Sequence, residues 1–338
     1  MQLRSIALAF SLALVTLFVS GTAVAQYQLT NLDSNQVGQA HHVDPLLVNG
    51  WGLARAATSP FWISDAGSGW STLYNGAGVK QGLEVEIPSA NGSGTGSPTG
   101  IVFNGSSDFQ VQGHAAIFIF ATLDGTISGW APQVDVNNSV IAASSPGAVY
   151  TGLAITSNAS GNFLFAADNA NNKVDMYDAT FTLVNSFTDT TLPTGFAPFG
   201  IQDLDGLLYV AFASTSGAAG GYIDVYSEGG TFLKRLAQGA PLNQPWGMAA
   251  APNNFGTLSN TLLVSNNTNS GTINGFNAIT GQFAGTVKDA NGKAIHIDQL
   301  WGIEFGGGTA SNGRVNELFF TAGPSNNLAG TFGSISPK

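Results

Sequence analysis

Most of the chain consists of short runs in which apolar and polar residues alternate, separated by turns rich in Gly and Asn. A period of two in runs of this length predicts β-strands, and the Gly and Asn between them predict tight hairpins. An apolar run that ends in small or polar residues, such as FWISDA or FLFAADN, precedes a run that ends in an aromatic, such as STLY or KVDMY. A more polar run, such as LEVEI or FLKRLA, follows. The pattern therefore predicts repeated units of four antiparallel strands.

Every unit begins with the same short motif, which we call the slot. A bulky or turn residue is followed by Gly and then by an apolar β-former, with intervals of 48, 52, 48, 47 and 55 residues between the glycines Gly52, Gly100, Gly152, Gly200, Gly247 and Gly302. Six such units predict an all-β fold, a six-bladed β-propeller of four-stranded antiparallel blades. A right-handed β-helix is the competing repeat architecture, but its rungs are usually shorter and lack hairpin turns.

The two ends of the chain complement each other. The sixth unit stops at TFGSISPK without an outer strand, whereas YQLTNL, residues 27–32, precedes the first unit with no strand to pair with. We expect this N-terminal strand to close the last blade, because closure removes the edges of an open row of blades. Residues 26–338 are thus predicted to form one propeller domain.

The slot glycines are expected where six inner strands crowd around the axis, since Gly allows close backbone approach. The bulky residues before them, Trp51, Trp246 and Trp301 among them, are interpreted as wedges between neighbouring blades. An aromatic lining for a ligand pocket is the alternative.

Residues 1–25 are predicted to be a signal peptide. Arg4 precedes the apolar run IALAFSLALVTLFV, and the segment ends in Ala23-Val24-Ala25, a small-x-small pattern that signal peptidase cleaves. An uncleaved membrane anchor is the alternative, but no later run approaches about 20 apolar residues. After cleavage behind Ala25 we expect no membrane insertion and a secreted or periplasmic protein.

Charge and cysteine content exclude several functions. With 20 acidic and 10 basic residues, the formal net charge of −10 argues against nucleic acid or anionic membrane surfaces as partners. The absence of Cys excludes disulfides, thiolate metal sites and a Cys nucleophile. The many Asn, Ser and Thr residues favour a small molecule, a glycan or a cell-envelope protein as the partner of a monomer.

Candidate site residues lie in the loops that enter the inner strands and in those that join the second strand to the third. Function on such scaffolds usually resides in these loops. The predicted ligand-binding residues are His42, Asp44, Asn49, Trp51, Asp65, Asp168, Trp246, Asn266, His296, Asp298 and Trp301. Within this set, the two His-x-Asp sequences, His42 with Asp44 and His296 with Asp298, could together hold a divalent metal. The alternative is that the aspartates are turn residues that bind backbone amides.

The axial channel is predicted to be mostly apolar. Two positions after the slot glycines, Gln202 and Glu304 are the residues that could offer axial oxygens, and the other units have small or apolar residues there. No GxSxG elbow in a strand-to-helix setting is present, and the Gly-rich stretches lack the following helix of a phosphate-binding loop.

Several strings resemble a known family. HVDPLLVNGWGLA, ATLDGTISGW, FAPFGIQDLDGLLYVAFA, IDQLWGIEF and LFFTAGP are similar to a secreted bacterial β-propeller family of unassigned activity, some members of which end in a PEP-type sorting signal. The resemblance spans essentially the whole mature chain and implies an exported six-bladed propeller. It supplies no catalytic residues, and ISPK at the end of this chain differs from the hydrophobic tail of the sorting signal.

Two functional hypotheses follow. The first is a non-catalytic binding or scaffold protein that acts through its loops, which we favour over an enzyme. The second is a metal-assisted hydrolase or lyase of the lactonase or lyase propeller type, for which His42, Asp44, His296 and Asp298 would supply the metal ligands.

Overall fold

The alternating runs pair as predicted in the computed structural model, which describes residues 26–338. The predicted signal peptide lies outside the described residues. Six sheets form the blades, and in the first five of them the chain proceeds from the inner strand at the axis to the outer strand at the rim. No helix in residues 26–338 is long and apolar enough to cross a membrane.

All the strands of the first five blades follow one another along the chain. In blades one to three they are Gly50–Ala54, Phe61–Asp65, Trp70–Tyr74 and Lys80–Glu86; Pro98–Phe103, Phe118–Thr122, Thr126–Trp130 and Val140–Ser144; and Tyr150–Asn158, Gly161–Asp168, Lys173–Tyr177 and Leu183–Phe187. In blades four and five they are Phe196–Leu204, Leu207–Ser214, Tyr222–Ser227 and Phe232–Gln238; and Pro245–Ala250, Leu262–Asn266, Ile273–Phe276 and Phe283–Thr286.

Blade six combines both ends of the described chain. Its inner three strands are Leu300–Phe305, Leu318–Ala322 and Thr331–Pro337, and its outer strand is Tyr27–Ser34. The outer strand is antiparallel to its neighbour, with Tyr27 opposite Pro337 and Ser34 opposite Thr331. The prediction that an N-terminal strand closes the last blade is therefore confirmed.

Short elements complete the fold. A two-residue strand, His42–Val43, pairs in parallel with the end of the outer strand of blade six and extends that sheet. A small hairpin of Gln110–Val111 and His114–Ala115 is inserted in blade two. A 3-10 turn at Gly256–Leu258 and a left-handed turn at Pro324–Asn327 lie in loops of blades five and six.

Aromatic side chains join neighbouring blades. Phe61 of blade one lies with its ring centroid 4.5 Å from that of Phe319 of blade six, and Trp62 on the other face of the same strand stacks on Phe118 of blade two at 4.2 Å. Both faces of a blade are thus buried against other blades, which explains why the second strand, FWISD, is buried at every position. The ring becomes a rigid frame for its loops.

The slot glycines lie where adjacent inner strands approach most closely. A Cβ added at Gly200 would lie 2.0 Å from the carbonyl oxygen of Trp246, and the corresponding distances for Gly247 and Gly302 are 2.6 Å to Trp301 and 2.7 Å to Trp51. Each of these contacts is made to the inner strand of the next blade. The predicted crowding of the axis is therefore observed, and blade six contacts blade one in the same way.

Replacing Gly200 by Ala should therefore destabilise the ring. The methyl group would overlap a backbone oxygen, which side-chain rotation cannot relieve, so we expect the free energy of unfolding to fall by about 2 to 3 kcal/mol. Urea unfolding measures it. Gly82→Ala is the matched control, because the space around Gly82 is open and the change should stay within about 0.5 kcal/mol. Equal stabilities of the two variants would contradict the crowding argument.

Candidate functional site

The direction of the strands defines two faces of the ring. All six inner strands begin on one side, which we call the upper face, and end on the other, the lower face. The loops that carry the predicted site residues belong to the upper face.

Three of the predicted residues fill the upper end of the axis together with a phenylalanine. In this aromatic plug, defined as Trp51, Phe199, Trp246 and Trp301, the rings of Trp51 and Trp301 stack with centroids 3.6 Å apart. Trp246 packs edge-on against both, at 6.2 and 5.7 Å. The three Trp side chains are buried. The interpretation of these residues as packing residues agrees with their burial, but their rings meet one another at the axis rather than lying between pairs of blades.

Hydrogen bonds hold two of the plug indoles in place. Trp246 Nε1 donates to the carbonyl oxygen of Thr151 in blade three at 2.8 Å, and Trp301 Nε1 donates to Asn49 Oδ1 at 3.1 Å. Trp51 Nε1 is buried without a partner among the described residues. The predicted residue Asn49 is thus a support of the plug.

The first His-x-Asp pair separates into an exposed and a buried residue. His42 is exposed on the short added strand, whereas only 1% of Asp44 is exposed. Asp44 Oδ2 accepts a hydrogen bond from the Tyr74 hydroxyl at 2.6 Å, and Oδ1 accepts one from Lys80 Nζ at 2.8 Å. The Asp44 carboxylate is therefore used in a structural ion pair.

Three further predicted residues, Asp65, Asp168 and Asn266, end the second strands of blades one, three and five and are buried there. Asp168 Oδ1 accepts a hydrogen bond from the backbone N–H of Val149 at 3.1 Å, and Asn266 Oδ1 accepts one from that of Asn243 at 3.0 Å. These two residues hold the loops that enter their own blades, and for Asp168 a bond to a backbone amide is what the turn interpretation proposed. Asp65 accepts from the Thr72 hydroxyl, and burial raises the pKa of Asp65 well above its usual range.

The second His-x-Asp pair lines a cavity. This upper cavity of about 400 Å³ lies between the loop that enters blade six, the turn between its second and third strands, and the chain around its outer strand. Its polar lining includes Asn31, Gln36, Gln39, His296, Asp298 and Ser325. His296 Nδ1 lies 2.8 Å from Ser270 Oγ, and Asp298 Oδ2 accepts a hydrogen bond from the backbone N–H of Ser325 at 2.9 Å.

A left-handed turn connects the upper cavity to the aromatic plug. Ser325, Asn326 and Asn327 have φ values of 60°, 58° and 65°, a conformation that costs about 1 to 2 kcal/mol for each residue with a side chain. Asp298 binds the first of them through the Ser325 N–H, and Asn327 Oδ1 lies 3.3 Å from Trp301 Nε1. Strain of this kind persists where the surroundings enforce it, so the turn is a pre-organised wall of the cavity.

The predicted metal set does not form a cluster. Within residues 26–338 no group of three or more His, Cys, Asp or Glu side chains is placed to hold one ion. Asp44 is bonded to Tyr74 and Lys80, while Asp298 is bonded to the Ser325 backbone, so the two carboxylates serve different loops.

Two buried carboxylates were not among the predicted site residues, because they lie in the third strands of their blades and not in loops. Asp175 and Asp224 have no exposed surface, and they pair with Lys173 at 2.7 Å and with Arg235 at 3.0 Å. Burial raises the pKa of Asp224 to about 7, although Arg235 opposes the shift. The sequences KVDMY and YIDVY do predict these buried aspartates, because a charged residue in a strand that is buried on both faces has to lie in the interior.

The protein is a six-bladed β-propeller in which the aromatic plug closes the upper end of the axial channel. The chain belongs to the same family as "Uncharacterized protein R648" of Acanthamoeba polyphaga mimivirus, with which it is 30% identical over 347 residues, covering 95% of this chain and 83% of the viral protein. No protein-family model matches the chain. The expected fold is confirmed, but a viral relative gives no support to the bacterial origin or the sorting signal of the resembled family.

Two solved structures are similar in fold. A gluconolactonase from Xanthomonas campestris superposes with a TM-score of 0.55 at 14% identity, covering 87% of this chain and 89% of the enzyme. A streptogramin B lyase gives a TM-score of 0.50 at 13% identity, covering 93% and 98%. At such identities both similarities show the shared propeller fold alone.

The structural role of Asp44 can be tested through its partner. Lys80→Met removes the ammonium group and leaves a buried carboxylate uncompensated, so we expect the free energy of unfolding to fall by about 2 kcal/mol. Chemical denaturation measures it. Lys234→Met is the matched control, since Lys234 binds an exposed carbonyl oxygen and no buried carboxylate. A loss no larger than that of the control would contradict the assignment.

Proposed function

We propose that the protein is a non-catalytic binding protein whose upper cavity takes a neutral, hydroxyl-rich ligand such as a glycan unit. The observation that carries the proposal is a set of unused hydrogen-bonding groups in a cavity of suitable size. The side-chain amide of Gln39, Asp298 Oδ1 and Ser325 Oγ line the cavity, and none of them bonds to another group within residues 26–338. At about 400 Å³ the cavity lies within the range of small-molecule sites.

The kind of polar group favours hydroxyls over ions. Amide and hydroxyl groups of Asn31, Gln36, Gln39 and Ser325 can each donate and accept, as a sugar hydroxyl does. Asp298 adds a carboxylate oxygen, which forms stronger hydrogen bonds with hydroxyl donors than a neutral acceptor does. A net charge of −10 disfavours anionic ligands.

The geometry gives less support to catalysis. Ser270 and His296 are within hydrogen-bonding distance, but Ser270 lies outside the cavity lining, and no third side chain among the described residues orients the imidazole. Nucleophilic catalysis by such a pair normally requires that third group. The metal-assisted alternative would need a cluster of ligands that residues 26–338 do not form.

Binding can be measured by saturation-transfer NMR with a panel of neutral mono- and disaccharides. Asp298→Asn keeps an acceptor for Ser325 but weakens hydrogen bonds to the ligand, and His296→Ala removes the imidazole. We expect each variant to lower the affinity of the best saccharide about tenfold, equivalent to about 1.4 kcal/mol. His114→Ala is the matched control because His114 is exposed on the inserted hairpin of blade two.

Two results would contradict the proposal. One is that no saccharide in the panel binds, and the other is that both variants retain the wild-type affinity while remaining folded. Repeating the titration with EDTA separates the two functional hypotheses: direct recognition by the side chains predicts an unchanged affinity, whereas loss of binding would indicate a metal.

A further inference from the structure

The lower end of the axis opens into a pair of cavities. They have volumes of about 380 and 220 Å³ and share Leu53, Arg55, Gln202 and Glu304. We call the combined space the axial mouth. Above it, between the slot glycines, the axis narrows to a cavity of about 20 Å³, and the aromatic plug closes the upper end. The axial mouth is therefore a blind site, separate from the upper cavity.

The axial mouth has a wall of apolar side chains beside its polar groups. Side chains from the inner strands of all six blades contribute, including Leu53, Ile101, Ile155, Leu204, Met248 and Phe305. Walls of this kind bind the hydrocarbon part of a ligand and strengthen the electrostatic interactions of the polar groups among them.

The acid in this mouth is incompletely paired. Arg55 Nε donates to the carbonyl oxygen of Phe305 at 2.9 Å, and Nη1 lies 3.4 Å from the carbonyl oxygen of Ala56. Glu304 Oε1 is 3.4 Å from Arg55 Nε, an ion pair without a directed hydrogen bond. No other described group bonds to the Glu304 carboxylate. Burial raises the pKa of Glu304 to about 8, although Arg55 opposes the shift.

The remaining charges at the mouth are also acidic. Asp203, near the end of the inner strand of blade four, and Asp205, in the turn after it, lie on the rim of the mouth. Burial raises the pKa of Asp203 to about 6, with a further contribution from the charge of Glu228. Three carboxyl groups and one guanidinium group, which already binds backbone oxygens, therefore line the axial mouth. The Gln202 side chain, which makes no hydrogen bond within residues 26–338, supplies a neutral acceptor between them.

We propose that the axial mouth binds a small organic ammonium ion, with its hydrocarbon part against the apolar wall and its N–H groups directed to Glu304 and Gln202. An ammonium group supplies the charge and the hydrogen-bond donors that the Glu304 carboxylate lacks. A divalent metal is a poorer fit, because the described chain has no three ligating side chains around one point. An anion would meet the excess of carboxyl groups.

The first test compares three probes of the same shape by isothermal titration calorimetry at pH 8.5. Benzylammonium should bind at least tenfold more tightly than benzyl alcohol, and benzoate should bind more weakly than either. Equal affinities for benzylammonium and benzyl alcohol, or tighter binding of benzoate through Arg55, would overturn the proposal. This comparison needs no variant, so it does not depend on how a substitution affects folding.

The second test uses pH and substitution. The cation is bound by the ionised carboxylate, so its binding releases a proton where Glu304 is still protonated. Raising the pH from 6.5 to 8.5 through the pKa of about 8 should therefore increase the affinity for benzylammonium more than tenfold. Glu304→Gln should remove this dependence and lower the affinity at pH 8.5 at least tenfold.

Glu86→Gln is the matched control, because Glu86 lies on the outer strand of blade one, away from the axis. A Glu304→Gln variant that binds benzylammonium as wild type does would overturn the proposal. Saccharide binding in the upper cavity should be the same in all three proteins, so failure at one site is distinguishable from failure at the other.

Discussion

The close approach of six inner strands around one axis is the constraint on which the rest of the structure depends. Each strand contacts the next through backbone atoms at a glycine, and a Cβ at Gly100 would lie 2.2 Å from the backbone nitrogen of Leu153. Contacts this close leave little space between the glycines, which accounts for the narrow centre of the channel. Ligand-sized cavities can then exist at the ends of the axis or at the perimeter.

Closure of the ring determines where the perimeter cavity forms. The upper cavity lies between His296 and Asp298 on one side and the segment around Asn31 to Gln39 on the other, which are far apart in the sequence. They become neighbours because the N-terminal strand is the outer strand of blade six. The segment that closes the ring thus also supplies one wall of the candidate site, so the stability of the ring and the shape of the cavity are coupled.

Repetition explains why the fold was predictable. Three features of the sequence predict the fold: the spacing of the slot glycines, the order of the four runs and the unpaired segment YQLTNL. The same pattern recurs in every unit, so the strand prediction for one unit supports the prediction for the others. The positions of Asp65, Asp168 and Asn266 at the ends of second strands were also predictable, because turn residues act on their own loops.

The site was less predictable because it depends on partners that are distant in sequence. HVD and HID look alike, but Asp44 turns inward to Lys80 and Tyr74, whereas Asp298 holds the turn at Ser325. Nor does the spacing of Trp51, Trp246 and Trp301 indicate that their rings meet across the axis, since that depends on side-chain direction. The sequence did indicate Gln202 and Glu304 as axial polar groups, while the position of Arg55 beside Glu304 emerged from the structure.

The central claim is that the axis is closed from above and that recognition at the upper face takes place in the blade-six cavity. A crystal structure of the protein with the saccharide that binds best tests it most directly. The account predicts ligand density between Asp298, His296 and Gln39, with the aromatic plug unchanged. Density on the axis, with Trp51 and Trp301 separated to admit the ligand, would contradict it.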